Sequence, residues 1–254
     1  MSTAITNVTE LQAMENDLAG SYYLANDIDA SATSGWNGGA GFVPVGDNAN
    51  KFTGKFNGYG RTITDLFINR PSTTRIGLFG EVDASEIINV GLVDGDITGL
   101  GGVAALIGVT TDTAVARSYT TGMVSGTADA ISGLIGDARG STVLDSFSKC
   151  SVTGGNLWSN FISGLIGRNT GTITNCYSTG DVNGGTANIG GAIGYNSGGT
   201  YNDVFWDTQT SLQATSAGGT GKTTAQMKQE ATFTNWDFST IWDITEDVTY
   251  PWLR

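Results

Sequence analysis

The groups with chemical reach in this chain are carboxylates and arginines, because it contains no histidine. Histidine-based triads and histidine metal centres are therefore excluded. A glycosidase needs two carboxylates on facing walls of a cleft, and Asp145, or Asp94, Asp96 and Asp181 at one recurring turn, could supply them. A lyase instead needs a cation to neutralise a sugar acid and an Arg or Lys to take a proton. Arg117 shares a repeat position with Asp145 and Asn175, while Arg139 and Arg168 follow successive closing glycines at +3 and +1. The competing reading is bland: outward positions of a repeat protein must be polar, and scattered charges satisfy that.

The Asp-x-Asp pairs Asp27/Asp29 and Asp94/Asp96 lie near glycines and offer oxygen ligands for calcium, without the spaced run of a dedicated loop. Turn chemistry explains them equally, since Asp caps turns with its own side chain. No other cofactor is indicated. Ser216-Ala-Gly-Gly-Thr-Gly-Lys-Thr223 imitates a phosphate loop, but its first glycine is Ser216 and no apolar strand launches it, so nucleotide binding is rejected. Aromatic side chains carry the binding signal: Trp158 and Phe161 in one insertion, and Trp36 in a Gly-rich loop. Aromatic faces stack on sugar rings and fill interface pockets.

The elements that must position these residues are repeats. Ile88-Asn-Val-Gly-Leu92 through Ile97-Thr-Gly99 returns at Val115–Gly126, Val143–Gly154 and Ile173–Gly184. Each copy is followed by a short apolar closure: Ala105-Leu-Ile-Gly108, Gly133-Leu-Ile-Gly136, Gly164-Leu-Ile-Gly167 and Gly191-Ala-Ile-Gly194. An earlier closure, Gly77-Leu-Phe-Gly80, precedes them. Aligned on the large residue at 92, 119, 147 and 177, the steps are 27, 28 and 30 residues, with Phe205 another 28 on. Such periods mean units that bury their apolar faces only by stacking. β-Branched residues punctuated by Gly, Asn and Ser, without a 3.6-residue rhythm, make the units strands. Like residues then stack on like, ~4.8 Å apart: Ile88/Val115/Val143/Ile173, Ile97/Val124/Val152/Val182, and glycines 99/126/154/184.

The reading is an all-β, single-domain parallel β-helix (a β-solenoid) over residues 1–254, of six or seven coils. Residues 1–20 hold a capping helix, with Asn7 and Glu10 as its capping box and Gly20 as its stop. Coils of about 27–31 residues fill 21–207, and 208–254, rich in aromatics, forms the C-terminal cap. Between the Gly99-type column and the closing glycine lie 8, 9, 12 and 9 residues, so the longest insertion, with Trp158 and Phe161, projects at one corner. Corner insertions commonly form the binding edge. Whether the aromatic column or its small neighbours Gly91, Ser118, Ser146 and Cys176 face inward is open. Cys150 and Cys176 fall four residues out of register, ~13 Å along a strand and beyond disulfide reach.

The closures and the segment Ile173-Thr-Asn-Cys-Tyr-Ser-Thr-Gly-Asp-Val-Asn-Gly184 resemble the GLUG repeat of large bacterial and archaeal surface or secreted proteins and some viral ones. The flanks Phe52-Thr-Gly-Lys-Phe-Asn-Gly-Tyr-Gly-Arg-Thr-Ile63 and Thr220-Gly-Lys-Thr-Thr-Ala-Gln-Met-Lys228 share the resemblance, which extends from about Tyr22. Ala105 and Ala192 depart from it by small swaps. The resemblance implies a β-helix in a surface-exposed, adhesive or polysaccharide-related protein; its motif is made of packing residues and says little of chemistry.

A net charge of −12 argues against nucleic acid and anionic membrane surfaces. No apolar run is long enough to span a bilayer, and Met1-Ser-Thr-Ala-Ile-Thr6 shows no signal peptide. The expected role is non-enzymatic: an extracellular, cell-surface or virion module that presents corner loops to a glycan or protein. The alternatives are a polysaccharide-degrading enzyme on the same scaffold, and a virion decoration or tail subunit. A flat apolar side would mark a homo-oligomer.

Overall fold

A computed structural model describes residues 2–155, 160–185 and 187–254. The chain winds as a parallel β-solenoid of about five turns. Three parallel sheets form its walls: one 15-stranded, one five-stranded and one four-stranded. The end rungs Thr3–Ile5 and Ser21–Leu24 add to the wide sheet alone. Such incomplete rungs leave fewer full turns than the expected six or seven.

The walls enclose one continuous core. Val124 pairs with Ile97 and Val152, and Val152 with Val182, so this inward column stands as expected. On the opposite wall Ile107, Ile135, Ile166 and Ile193 stack rung on rung. All are essentially inaccessible, each contributing about 1.5–3 kcal/mol by burial.

Two columns differ from the expected register. Val115 pairs with Ile87, not Ile88, and Tyr119 pairs with Gly91, not Leu92. Leu92 points inward above Thr120, Ser148 and Ser178. Aligning large residue on large residue was the error. Gly91 stands in the aromatic column because the Tyr119 ring leans into its space: a Cβ there would lie 2.4 Å from Tyr119 Cζ. The open question of facing is also answered. The small column, now read as Val90, Ser118, Ser146, Cys176 and Val204, is buried in the core, and the aromatics face outward. Cys150 and Cys176 are free, buried thiols.

Buried hydroxyls occupy one inner strip and are satisfied by neighbouring glycine carbonyls. Thr120 Oγ1 donates to Gly133 O at 3.0 Å and Ser178 Oγ to Gly191 O at 2.8 Å. This explains the leading glycines at 133 and 164: a Cβ on Gly133 would collide with Ser148 Oγ, and one on Gly164 would stand 3.0 Å from Ser178 Oγ.

Corners are made by columns of left-handed residues. Asn89, Arg117, Asp145, Asn175 and Asp203 have φ of 56°, 48°, 47°, 51° and 50°. Asn and Asp tolerate that conformation better than most side chains, which is why they recur there. A second such column runs Arg75, Gly102, Ala130, Phe161 and Asn188 at φ 62°, 60°, 63°, 64° and 55°.

Both ends are covered. The helix is shorter than expected, Val8–Ala13 followed by a tighter turn, Met14–Asn16. Asn7 caps it by accepting from Glu10 N at 3.0 Å, but the Glu10 carboxylate reaches back to Thr6 N rather than to Asn7. Gln12 exchanges two hydrogen bonds with the Val43 backbone, standing in for a missing rung. At the other end, residues 211–222 bond to the last turn through Val182, Gly191, Ile193 and Asp207. Residues 223–254 then run back along the wide sheet and cover the aromatic column. Met227, Phe233, Trp236 and Trp242 pack there on Phe147, Tyr177 and Phe205.

Candidate functional site

Outward positions of the five-stranded sheet form a column one residue after each closing glycine: Glu81, Val109, Asp137, Arg168 and Tyr195. Beside it stands the left-handed column containing Arg75 and Phe161. The two columns border a cavity of about 310 Å³ lined by Arg75, Asp129, Asp137, Arg139, Phe161 and Arg168, among others.

Asp137 is its floor, 5% exposed. Its Oδ2 receives Arg139 at 2.8 Å and approaches Arg168 at 3.8 Å. Its Oδ1 has no hydrogen-bond partner among the described residues, and neither has the buried Nε of Arg168. Arg75 pairs with Glu81, 2% exposed, which Lys51 also approaches at 3.7 Å. Four of the chain's 12 basic residues thus gather on one face of an acidic protein.

Phe161 is half-buried and stacks on Tyr195, ring centroids 4.9 Å apart. A bulky residue in the left-handed region is a true outlier. Asp129 holds the backbone just before it by accepting from Asn160 N at 3.0 Å and Nδ2 at 3.1 Å. Phe161, Arg139 and Arg168, three separate candidates in sequence, therefore meet at one place. Asp137, on which the arginines converge, was missed. The register could have found it, since Asp137 and Arg168 each follow their closing glycine by one residue.

The remaining candidates are dispersed. Asp145 is 3% exposed beneath the C-terminal segment, accepting from Asn175 Nδ2 at 3.1 Å and Trp242 Nε1 at 3.3 Å. Arg117, next in its column, lies exposed in a separate groove of about 380 Å³ with Tyr59, Tyr119 and Arg254. Trp36 packs against the core rather than standing free. Trp158 lies outside the described residues. Asp29 makes a turn bond, accepting from Ser31 N at 2.9 Å, whereas Asp27 and Asp94 bond between coils, Asp27 accepting from Thr62 N at 2.8 Å and Asp94 from Thr121 Oγ1 at 3.3 Å. Asp96 lies in a strand of the wide sheet, paired with Met123 and Phe67. Among the described residues no three Asp, Glu or Cys side chains gather as a metal-holding group. Burial pushes the Cys150 thiol up to about 11 and raises that of Cys176 further, so neither is a poised nucleophile.

Stacked ladders, left-handed corners and closed ends define the class: a capped parallel β-solenoid. The family model for the GLUG motif matches residues 164–183, a window that opens on Gly164-Leu-Ile-Gly167 and includes Arg168. The chain thus carries a GLUG motif at these residues. Halomucin of Haloquadratum walsbyi is 34% identical over 92% of this chain, which spans 3% of halomucin's length. A protein named as a Gly-rich membrane protein of Evansella cellulosilytica is 38% identical over 42% of this chain, or 12% of its own length. Among solved structures, a chain of Bacteroides ovatus described as an immunoglobulin A1 protease superposes with a TM-score of 0.77 over 100% of this chain and 92% of its own. At 18% identity that likeness shows the fold alone. No helix among the described residues is long and apolar enough to cross a membrane.

Proposed function

We propose that this β-solenoid is a non-enzymatic structural and adhesive module displayed at the cell surface, where it presents the corner around Phe161 to a glycan. The observation that carries the reading is an asymmetry of the outer walls. One outward aromatic column is covered by the chain's own C-terminal segment, whereas Phe161, stacked on Tyr195, borders an open cavity together with Arg75, Arg139 and Arg168. The relatives point the same way, one being a mucin by name and the other a membrane protein. Aromatic faces beside fixed polar groups suit sugar rings, and an acidic chain suits neutral glycans better than polyanionic ones.

The test is native electrophoresis through gels with embedded polysaccharides, with and without calcium, followed by staining for cleared zones. Retardation without clearing is the expected result. Clearing would replace the adhesive reading with an enzymatic one, and unaltered mobility in every gel would remove the glycan.

A further inference from the structure

The left-handed corner column Asn89, Arg117, Asp145, Asn175 and Asp203 holds Asn or Asp at every position but Arg117. Asn and Asp suit that conformation; an arginine at φ 48° does not. Tyr59, two rungs away, is a second misfit. Gly58-Tyr59-Gly60 stands opposite Asn89 alone, so the strand bulges there. Tyr59 holds φ of 50° and is 65% exposed. Bulges re-aim side chains, and bulky residues in strained backbone cluster at binding sites. Both misfits line one groove, of about 380 Å³, along the edge of the C-terminal segment.

The lining of that groove runs against the chain's composition. Of 24 Asp and Glu, none lines it among the described residues, whereas Arg117 and Arg254 do. Arg254 is already engaged, donating to Trp242 O at 2.8 Å and Phe238 O at 3.1 Å and pairing with Asp243 at 3.3 Å. The arginines that form ion pairs among the described residues are Arg75, Arg139, Arg168 and Arg254. Arg117 is therefore a free cation, and it lies exposed, within a ligand's reach. A guanidinium only donates, and its planar fork matches a carboxylate. Burial, then the nearby Asp27, raises the Tyr119 phenol, so one more negative charge is tolerated beside Arg117 and a polyanion is not.

The remaining walls narrow the ligand further. Tyr59 meets Tyr23 edge-on, ring centroids 5.6 Å apart, and otherwise faces solvent. Exposed phenol rings stack on sugar rings. Asn89 already donates its Nδ2 to Asn57 Oδ1 at 3.1 Å, and the Thr240 hydroxyl donates to Asp237. Both retain acceptor capacity, which matches a hydroxylated acid and is wasted on a plain one. We infer that this groove binds a single acidic pyranose, a uronate or a sialate, its carboxylate on the Arg117 guanidinium and its ring against Tyr59. The volume suits one sugar unit. The inference goes beyond the glycan reading of the Phe161 corner: the two places share no lining residue, so each stands or falls alone.

The test uses the whole chain, labelled for side-chain NMR and titrated at two salt concentrations with methyl glucuronide, methyl galacturonide and methyl sialoside. Their methyl esters serve as uncharged counterparts, and acetate as the carboxylate alone. At least one acidic glycoside is expected to shift the Arg117 Nε–H and Tyr59 ring signals, and its identity decides between a uronate and a sialate. Its ester and acetate are each expected to bind about tenfold more weakly or worse, and added salt to weaken binding. Arg117→Asn places the residue type of Asn89 and Asn175 in their own column, so the unfolding temperature is expected to hold or rise while the shifts are lost. Tyr59→Asn likewise suits a positive φ and is expected to weaken binding about tenfold. The inference is overturned if no acidic glycoside moves these signals, if the ester or acetate binds as well, or if Arg117→Asn binds as the original does. Shifts of the Phe161 ring in place of these would assign the acid to the other corner and overturn it equally. Retardation in gels of neutral polysaccharide is expected to survive Arg117→Asn, since it reports on the Phe161 corner alone.

Discussion

Tyr119, Phe147, Tyr177 and Phe205 form an outward aromatic column that the chain covers with residues 223–254; Phe161 and Tyr195 form an outward aromatic pair over which no comparable segment lies among the described residues. Both arise from the same geometry, a strand position whose side chain points away from the core. They differ in their neighbours. Stacked rings at 4.9 Å expose a continuous apolar strip, of the kind that soluble surfaces seldom tolerate, and the Trp-rich segment removes it from water. Phe161 instead stands among arginines and carboxylates, where a single stacked pair is tolerable. On one scaffold, then, the same outward position contributes to stability where its column is uniform and, on the function proposed above, to recognition where it is mixed.

The comparison breaks most readily at Trp242, fully buried between Phe147, Tyr177 and Trp236. Trp242→Ala is expected to cost about 3–5 kcal/mol, seen as a lower urea midpoint with an unaltered slope. A loss below about 1 kcal/mol, the scale of ordinary surface changes, would mean that the C-terminal segment is an ornament rather than part of the fold. Next in size is the contrast between two aspartates. Asp145→Ala strands the Trp242 indole N–H in a buried site, at about 1–3 kcal/mol. Asp137→Asn loosens ion pairs to half-exposed arginines, at about 1 kcal/mol or less. Equal losses would erase the distinction between sealed and open faces.

Alkali separates the faces more gently. Tyr250 donates to Asp207 Oδ2 at 2.8 Å, and burial followed by that carboxylate pushes its phenol up to about 12. Burial, then the nearby Tyr250, raises Tyr177 well above the ordinary value, and its hydroxyl donates to Pro251 O. Both phenols hold their protons more tightly in the folded chain than in the unfolded one, where tyrosine titrates near ~10. Their stabilisation is therefore complete below pH ~10 and is lost as pH rises from there through about 12. Stability measured across that window should fall, and Tyr250→Phe should flatten the fall. An identical slope in the variant would locate the alkaline sensitivity elsewhere.

Much of the fold was legible because stacking repeats its own message: Ile97, Val124, Val152 and Val182 announce an inward column by identity alone. Register failed where identity changes, as at Gly91, whose role is to vacate space for a ring from the next turn. No property of glycine itself signals that. The site was half legible. Arg139, Arg168 and Phe161 stood out by type, but Asp137 was passed over, and its burial beside the two arginines is evident only in the fold. Asp145 misled for the opposite reason, since the segment that covers it lies 97 residues away at Trp242.

The smallest expected effect is the most discriminating. Phe161 holds φ of 64°, a conformation that a bulky side chain adopts only at a cost of about 1–3 kcal/mol, while its half-buried ring recovers part of that by packing on Tyr195. Phe161→Asn exchanges the packing for a residue suited to the left-handed region, as Asn188 is in the same column. The two terms oppose each other, so the unfolding midpoint should move by no more than the equivalent of about 0.5 kcal/mol. Were Phe161 a structural residue like Phe147, its loss would resemble that of a core aromatic and cost several times as much. A near-neutral midpoint together with lost sugar binding would therefore mark a strained ring kept for recognition. A large destabilisation would return Phe161 to the same class as the sealed column, and the contrast between the two faces would collapse at its most exposed member.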